Sequence, residues 1–175
     1  MPTATFRAPW PARLTWLSLG STVVLAGVAI LQAAVIPRTV LNGIPYLLGI
    51  ALPALALVGC ALYTIKGYEV DSTAVYVQRL LWRTPIPLAG LQRAWASPEA
   101  MAGSLRFFGN GGLFSISGLF RNQRLGSYRA FATDPTRAVV LDFASRKVVL
   151  TPESPAAFLD HLRQVAPATQ ILADA

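Results

Sequence analysis

The segments LTWLSLGSTVVLAGVAILQAAVI, residues 14–36, and IPYLLGIALPALALVGCALYTI, residues 44–65, contain no Asp, Glu, Lys, Arg or His. Between them stands one charged residue, Arg38, in the break Pro37-Arg38-Thr39. At 1.5 Å of rise per residue, a helix of about 23 residues spans about 35 Å, enough for a bilayer core about 30 Å thick. Pro45 falls in the first turn of the second run, where its missing N–H costs little. Pro53 lies mid-run and is expected to kink the helix, which membrane helices tolerate better than soluble ones. Buried helices of soluble proteins rarely run this far without a charge. A cleavable signal sequence fits poorly: residues 14–36 are too long for its core, Gln32-Ala33-Ala34-Val35-Ile36 is a poor cleavage site, and a second span follows. The sequence therefore predicts a membrane-embedded helical hairpin. Its parts are an N-terminal tail at 1–13, transmembrane helices at 14–36 and 44–65, and an external loop at 37–43.

Outside the hairpin the balance of residues changes. The chain has 175 residues, 54% hydrophobic and only 13% charged, with a net charge of +7. The first 65 residues carry Arg7, Arg13 and Arg38 and no acid, so +4 of the charge belongs to the remainder. That remainder is large enough for one modest soluble core. It has no block of consecutive basic residues, so no nucleic acid is expected as a partner. The single cysteine, Cys60, lies within the second run, which excludes disulfide frameworks and thiolate metal sites. Arg7 and Arg13 precede the first span and Lys66, Arg79 and Arg83 follow the second, against Arg38 alone in the loop. By the positive-inside rule both termini and the soluble domain are expected in the cytoplasm, with the hairpin in the cell's inner membrane.

From Gly67 short alternating segments separated by turns replace the apolar runs, a strand signal. Tyr68-Glu69-Val70 leads through the turn Asp71-Ser72-Thr73 into an extended segment from Ala74 to Trp82, rich in β-branched and aromatic residues. Residues 83–88 follow, with Pro85 and Pro87 suited to a sheet edge. Residues 125–133, 137–144 and 147–150 read as strands, the last two as a hairpin. Ser154 is a suitable N-cap and Pro155 a suitable first residue for a closing helix. Phe158, Leu162 and Val165 fall on one face of that helix. Residues 167–175 are expected to be a loose tail.

The runs Arg106-Phe107-Phe108-Gly109-Asn110-Gly111-Gly112-Leu113-Phe114, Gly118-Leu119-Phe120 and Leu125-Gly126-Ser127-Tyr128-Arg129-Ala130-Phe131-Ala132-Thr133 resemble the bacterial pleckstrin-homology-like (PH-like) domain family. Ile86-Pro87-Leu88-Ala89-Gly90-Leu91, where that family passes from an extended piece into a short helix, is similar as well. So is Val148-Val149-Leu150-Thr151-Pro152-Glu153 ahead of Phe158. The resemblance covers 67–166 and implies a seven-strand, two-sheet, partly open barrel capped by a C-terminal helix, an α+β, mainly-β domain joined to a transmembrane hairpin. It implies no catalytic residue. Phosphoinositide binding, a property of some eukaryotic relatives, is not carried over, because no strand-loop-strand cluster of Lys and Arg matches. Fold alone does not establish function.

Individual residues add little chemistry. Gly109-Asn110-Gly111-Gly112 is followed by Leu113-Phe114 rather than a Lys-Ser/Thr pair, so it reads as a turn needing positive φ and not as a phosphate cradle. His161 is the only histidine and the acids occur singly, so no metal, cofactor or general acid/base pair is expected. The two spans hold no ionisable residue, which leaves an ion path nothing to work with. Ala29 and Ala33 form a weak small-xxx-small pair, suited to packing within the hairpin or to a homodimer. The apolar, glycine-spaced stretch containing Phe107, Phe108, Phe114 and Phe120 is part core. Its remainder is a candidate surface for the bilayer or a protein partner, with Arg121, Arg124 and Arg129 at the lipid headgroups. The expected function is a non-enzymatic scaffold that holds a protein or peptide at the membrane face. The alternative is recognition of anionic lipid by those arginines.

Overall fold

The computed structural model describes residues 3–35 and 43–172. The loop expected at 37–43 lies outside the described residues except for Gly43. Two charge-free runs form two long helices, α1 (Ala12–Val35) and α2 (Ile44–Leu62), each long and apolar enough to cross a membrane. They pack on each other, with Gln32 and Ala33 of α1 meeting Tyr46 of α2. At Gly49 of α2 a Cβ would collide with the Gln32 side chain. Tyr46 Oη donates to the Ala33 carbonyl across the same gap. Their outer faces are bare: Ile30 is 66% exposed and Leu55 65%. A core helix of a soluble protein buries such residues, so these two lack the protein cover of a core. α2 continues through Pro53 without a break in the helix.

The second helix ends three residues earlier than the apolar run. Tyr63 closes it with its N–H on the Gly59 and Cys60 carbonyls, and Ile65 is fully buried in the domain core instead. A β-branched residue entering a sheet gains more from that core than from one more helical turn.

One four-stranded antiparallel sheet is ordered β1 (Ala4–Arg7), β2 (Gly67–Val70), β3 (Ala74–Gln78) and β4 (Arg83–Pro87). Thus β1, within the expected tail, pairs with the strand that follows α2, Ala4 opposite Val70 and Arg7 opposite Gly67. Asp71 makes the β2–β3 turn, its Oδ1 accepting from the N–H groups of Thr73 and Ala74. β3 is shorter than its extended segment, because the chain turns over residues 79–82 into β4. Pro85 and Pro87 occupy the sheet edge. No short helix follows: Gly90, at φ +79°, turns the chain directly into the next strand, with Leu91 N–H on the Leu88 carbonyl.

The second sheet contains β5 (Leu91–Ala96), β6 (Leu105–Gly111), β7 (Ile116–Asn122), β8 (Gly126–Ala132), β9 (Val139–Phe143), β10 (Lys147–Leu150) and β11 (Gln170–Ile171), in the order β11-β5-β9-β10-β8-β7-β6. β11 adds a short parallel pairing to β5 within the stretch expected to be loose. The terminal helix α3 (Pro155–Val165) is capped by Ser154, whose Oγ accepts from Ala157 N–H at 3.4 Å. Phe158, Leu159 and Leu162 of α3 close a core with Tyr68, Val77 and Leu141. On the opposite face of the second sheet Phe120, Leu125, Tyr128, Val140 and Val149 make a second core. β9 is therefore buried along its whole length. The two sheets do not close on each other, so the architecture is a helical hairpin followed by a partly open, sheet-rich PH-like domain with a C-terminal helix.

Candidate membrane-facing site

Outside the helices, exposed apolar side chains gather on the β6–β7 pair and in the turn Leu80-Leu81-Trp82. A bulge between Arg106 and Phe108 leaves Phe107 without an opposite residue and re-aims the strand. Leu105, Phe107 and Phe108 are all exposed, Phe108 at 76%. The pair can form only with glycine at two positions. A Cβ on Gly118 would collide with the Phe108 carbonyl oxygen, and one on Gly109 with the Ser117 carbonyl oxygen. Both also lie at positive φ, 150° and 109°.

The turn at the end of this pair is stitched to both helices. Asn110 shapes it, its Oδ1 accepting from Gly112 N–H at 3.2 Å and Leu113 N–H at 3.0 Å. Phe114 adopts φ +64° and its N–H donates to Ser18 Oγ of α1 at 2.9 Å. Ser115 Oγ donates to the Tyr63 carbonyl at the end of α2 at 3.1 Å. Leu113 lies beside Leu17, Gly20 and Val24, well inside α1. The tip of β6–β7 therefore reaches alongside the lower turns of the hairpin.

Between that pair and α2 lies a cleft of about 660 Å³. Ala56, Gly59, Cys60, Phe108 and Leu119 give it an apolar wall, and Arg79 and Arg129 are its two cations. Arg79 is only 6% exposed. Its Nε donates to Thr84 Oγ1 at 3.1 Å and its Nη1 to the Tyr63 carbonyl. Its guanidinium lies 5.5 Å from the Phe131 ring centroid, and that of Arg129 lies 4.9 Å from the same centroid. Five of the domain's ten arginines pair with carboxylates; among the described residues these two do not, nor do Arg106, Arg121 and Arg146. Burial holds the Arg79 guanidinium below the usual arginine range, and the like charge of Arg129 pushes the same way.

The residues singled out in the sequence divide sharply. Phe107 and Phe108 stand on the exposed edge, Phe108 at the cleft. Phe114 is half-buried at the tip, 6.4 Å from the Trp10 ring. Phe120 offers no surface: it is 6% exposed and stacks on Tyr128 in the second core. Arg121 and Arg124 lie at the end of the strand pair opposite the tip, and Arg124 is tied to Glu99 at 2.7 Å. Of the three arginines, Arg129 alone lines the cleft. The glycine run, expected to be a turn, is mostly strand: Gly109, Asn110 and Gly111 end β6 and only Gly112 lies in the turn beyond it, with Gly109 and Gly112 at positive φ. His161 sits on α3 against Phe6, its Nε2 buried without a partner. Among the described residues no group of three His, Cys, Asp or Glu is placed to hold a metal ion. Arg79 was legible only as a basic flank of the second span, because the cleft that it lines is completed by Arg129 and Phe131 of β8, far along the chain.

A sheet-rich domain with a closing helix and a cleft beside a helical hairpin has the form of a binding or scaffold module. A family model described as Bacterial PH domain matches residues 66–166, more than half of the chain, and the protein belongs to that family. PH-like domains are in general non-catalytic binding modules. No curated protein and no solved structure matches the chain.

Proposed function

We propose that this protein is a non-catalytic binding module anchored in the inner membrane by α1 and α2, with its PH-like domain on the cytoplasmic face, where it holds a protein or peptide partner. The observation that carries this reading is the pairing of β1 with β2, which ties the chain before α1 and the chain after α2 into one sheet. Both feet of the hairpin then open on the same side, and the domain is clamped against the membrane rather than tethered to it. The excess of basic residues at these feet over the lone Arg38 favours the cytoplasmic orientation. Partner binding suits the outer edge of β6, the long strand end of the second sheet, because β4 at the other sheet is blunted by two prolines. Arg129 in the cleft favours the second reading, contact with anionic lipid.

The test is cysteine accessibility in intact cells, with Cys60→Ala as background and single cysteines at Arg38 and Ser145. Labelling of Arg38→Cys from outside, and of Ser145→Cys only after lysis, is the expected result; the reverse pattern overturns the orientation. A photocrosslinker at Phe107 then separates the two readings. A discrete protein adduct supports the scaffold, and adducts with lipid alone support the second.

A further inference from the structure

We propose that the cleft between α2 and the β6–β7 pair is a binding site for an anionic phospholipid, whose phosphate sits between Arg79 and Arg129 and whose acyl chain lies along Ala56, Gly59 and Cys60. The proposal rests on the reading that α1 and α2 span the bilayer, and it goes beyond partner binding at the β6 edge.

Three observations converge on it. Two guanidiniums approach one ring, Phe131, and neither has a carboxylate. A buried charge is costly unless an opposite charge meets it, and Arg79 is almost fully buried. Its Nε and Nη1 are occupied by Thr84 and Tyr63, which leaves Nη2 to donate into the cleft. Arg129, more exposed and reaching the same ring, supplies a second donor set, and paired arginines match phosphate oxygens well.

The remaining walls specify the rest of the ligand. Ala56, Gly59 and Cys60 belong to the last two turns of α2, so this wall continues the face that the helix presents to hydrocarbon. Small residues there leave room for a chain to lie against the helix, and Phe108 and Leu119 cover it from the domain side. Asn110 and Ser117 also line the cleft. A soluble phosphate would satisfy the arginines but leave the apolar wall empty. A lipid satisfies both, and the bilayer delivers it from the side on which the cleft meets the helix.

The experiment uses the full chain in nanodiscs of phosphatidylcholine with and without phosphatidylglycerol, with native mass spectrometry counting retained lipid. The expected result is phosphatidylglycerol retained over phosphatidylcholine. Retention should fall at least tenfold in Arg129→Gln, whose exposed side chain can be lost without unfolding the domain, and stay unchanged in Arg121→Gln, an equal loss of charge outside the cleft. Arg79→Lys keeps the charge but loses the planar fork and should weaken retention less than Arg129→Gln. Equal retention of both lipids, or an equal effect of Arg121→Gln, overturns the proposal. So does stabilisation of the detergent-solubilised protein by glycerol 3-phosphate as strong as by phosphatidylglycerol, since the source would then be soluble. Release of the protein from membranes by alkaline carbonate overturns the spanning reading itself. Retention in the membrane without lipid preference overturns only the lipid site.

Discussion

Tyr68 shows how much one side chain can hold. It is fully buried in β2, yet its hydroxyl donates to the Phe131 carbonyl at 2.7 Å and accepts from Thr151 N–H at 3.2 Å. Thr151 in turn accepts from Thr133 N–H at 2.8 Å, so one phenol joins the first sheet to β8 and the segment after β10. Tyr68→Phe leaves a buried carbonyl and a buried amide short of a partner and should cost about 1–3 kcal/mol, read as a lowered unfolding midpoint in detergent. Burial also pushes the Tyr68 hydroxyl up from 10 to about 12. The folded state thus holds this proton more tightly than the unfolded chain does. Its contribution is intact below pH 10 and is lost as the pH climbs from 10 to about 12, an effect of about 2–3 kcal/mol. Stability of the wild type should fall across that window. In Tyr68→Phe the fall should shrink to the part left by Tyr128, also raised by burial.

At the scale of elements, the β6–β7 pair depends on its two glycines. Gly118→Ala places a methyl group into the Phe108 carbonyl at a backbone angle that L residues rarely adopt, and should cost about 2 kcal/mol or more. The damage should be local: hydrogen exchange should accelerate in residues 105–122, while β9 and β10 keep their protection. Loss of protection throughout the domain would show that the pair is a core element instead. Such elements were unevenly legible in the sequence. The closing helix was readable because cap, proline and apolar face all lie within a dozen residues. The β9–β10 hairpin was readable because its strands are adjacent and its turn is short. β1 and β11 were not, since segments of four and two residues carry no periodicity and exist only through partners far away in the chain. Phe120 misled for a related reason. Its neighbours on β7 alternate between exposed and buried, and nothing local says that a second core covers that face. The cleft was legible only through Phe108 and Arg129, because its other cation and the rest of its apolar wall come from different elements.

At the scale of the whole molecule, the link between domain and hairpin is the feature most open to test. Phe6 of β1 meets Phe158 of α3 edge-on at 5.2 Å, so the strand ahead of the first helix is held by the helix that closes the domain. Phe6→Ala should cost about 1–3 kcal/mol and loosen β1. Trypsin should then cut after Arg7 and Arg13 much faster than in the wild type, while sites within β9 and β10 stay protected. Unchanged cleavage would mean that the ladder to β2 alone secures the strand.

The pairing of Ala4 with Val70 also sets an order of assembly. β1 leaves the ribosome before its partner and has none until both helices and the strand after them have been made, so its sheet cannot close early. Bringing two points this far apart together costs entropy that grows with the length of the intervening chain. Two helices folded back on each other perform that closure in advance, by returning the chain to where it started. Insertion of the helices therefore becomes the step that templates the domain, and a failed insertion would leave Ala4–Arg7 as an unpaired strand end, a ready mark for quality-control proteases.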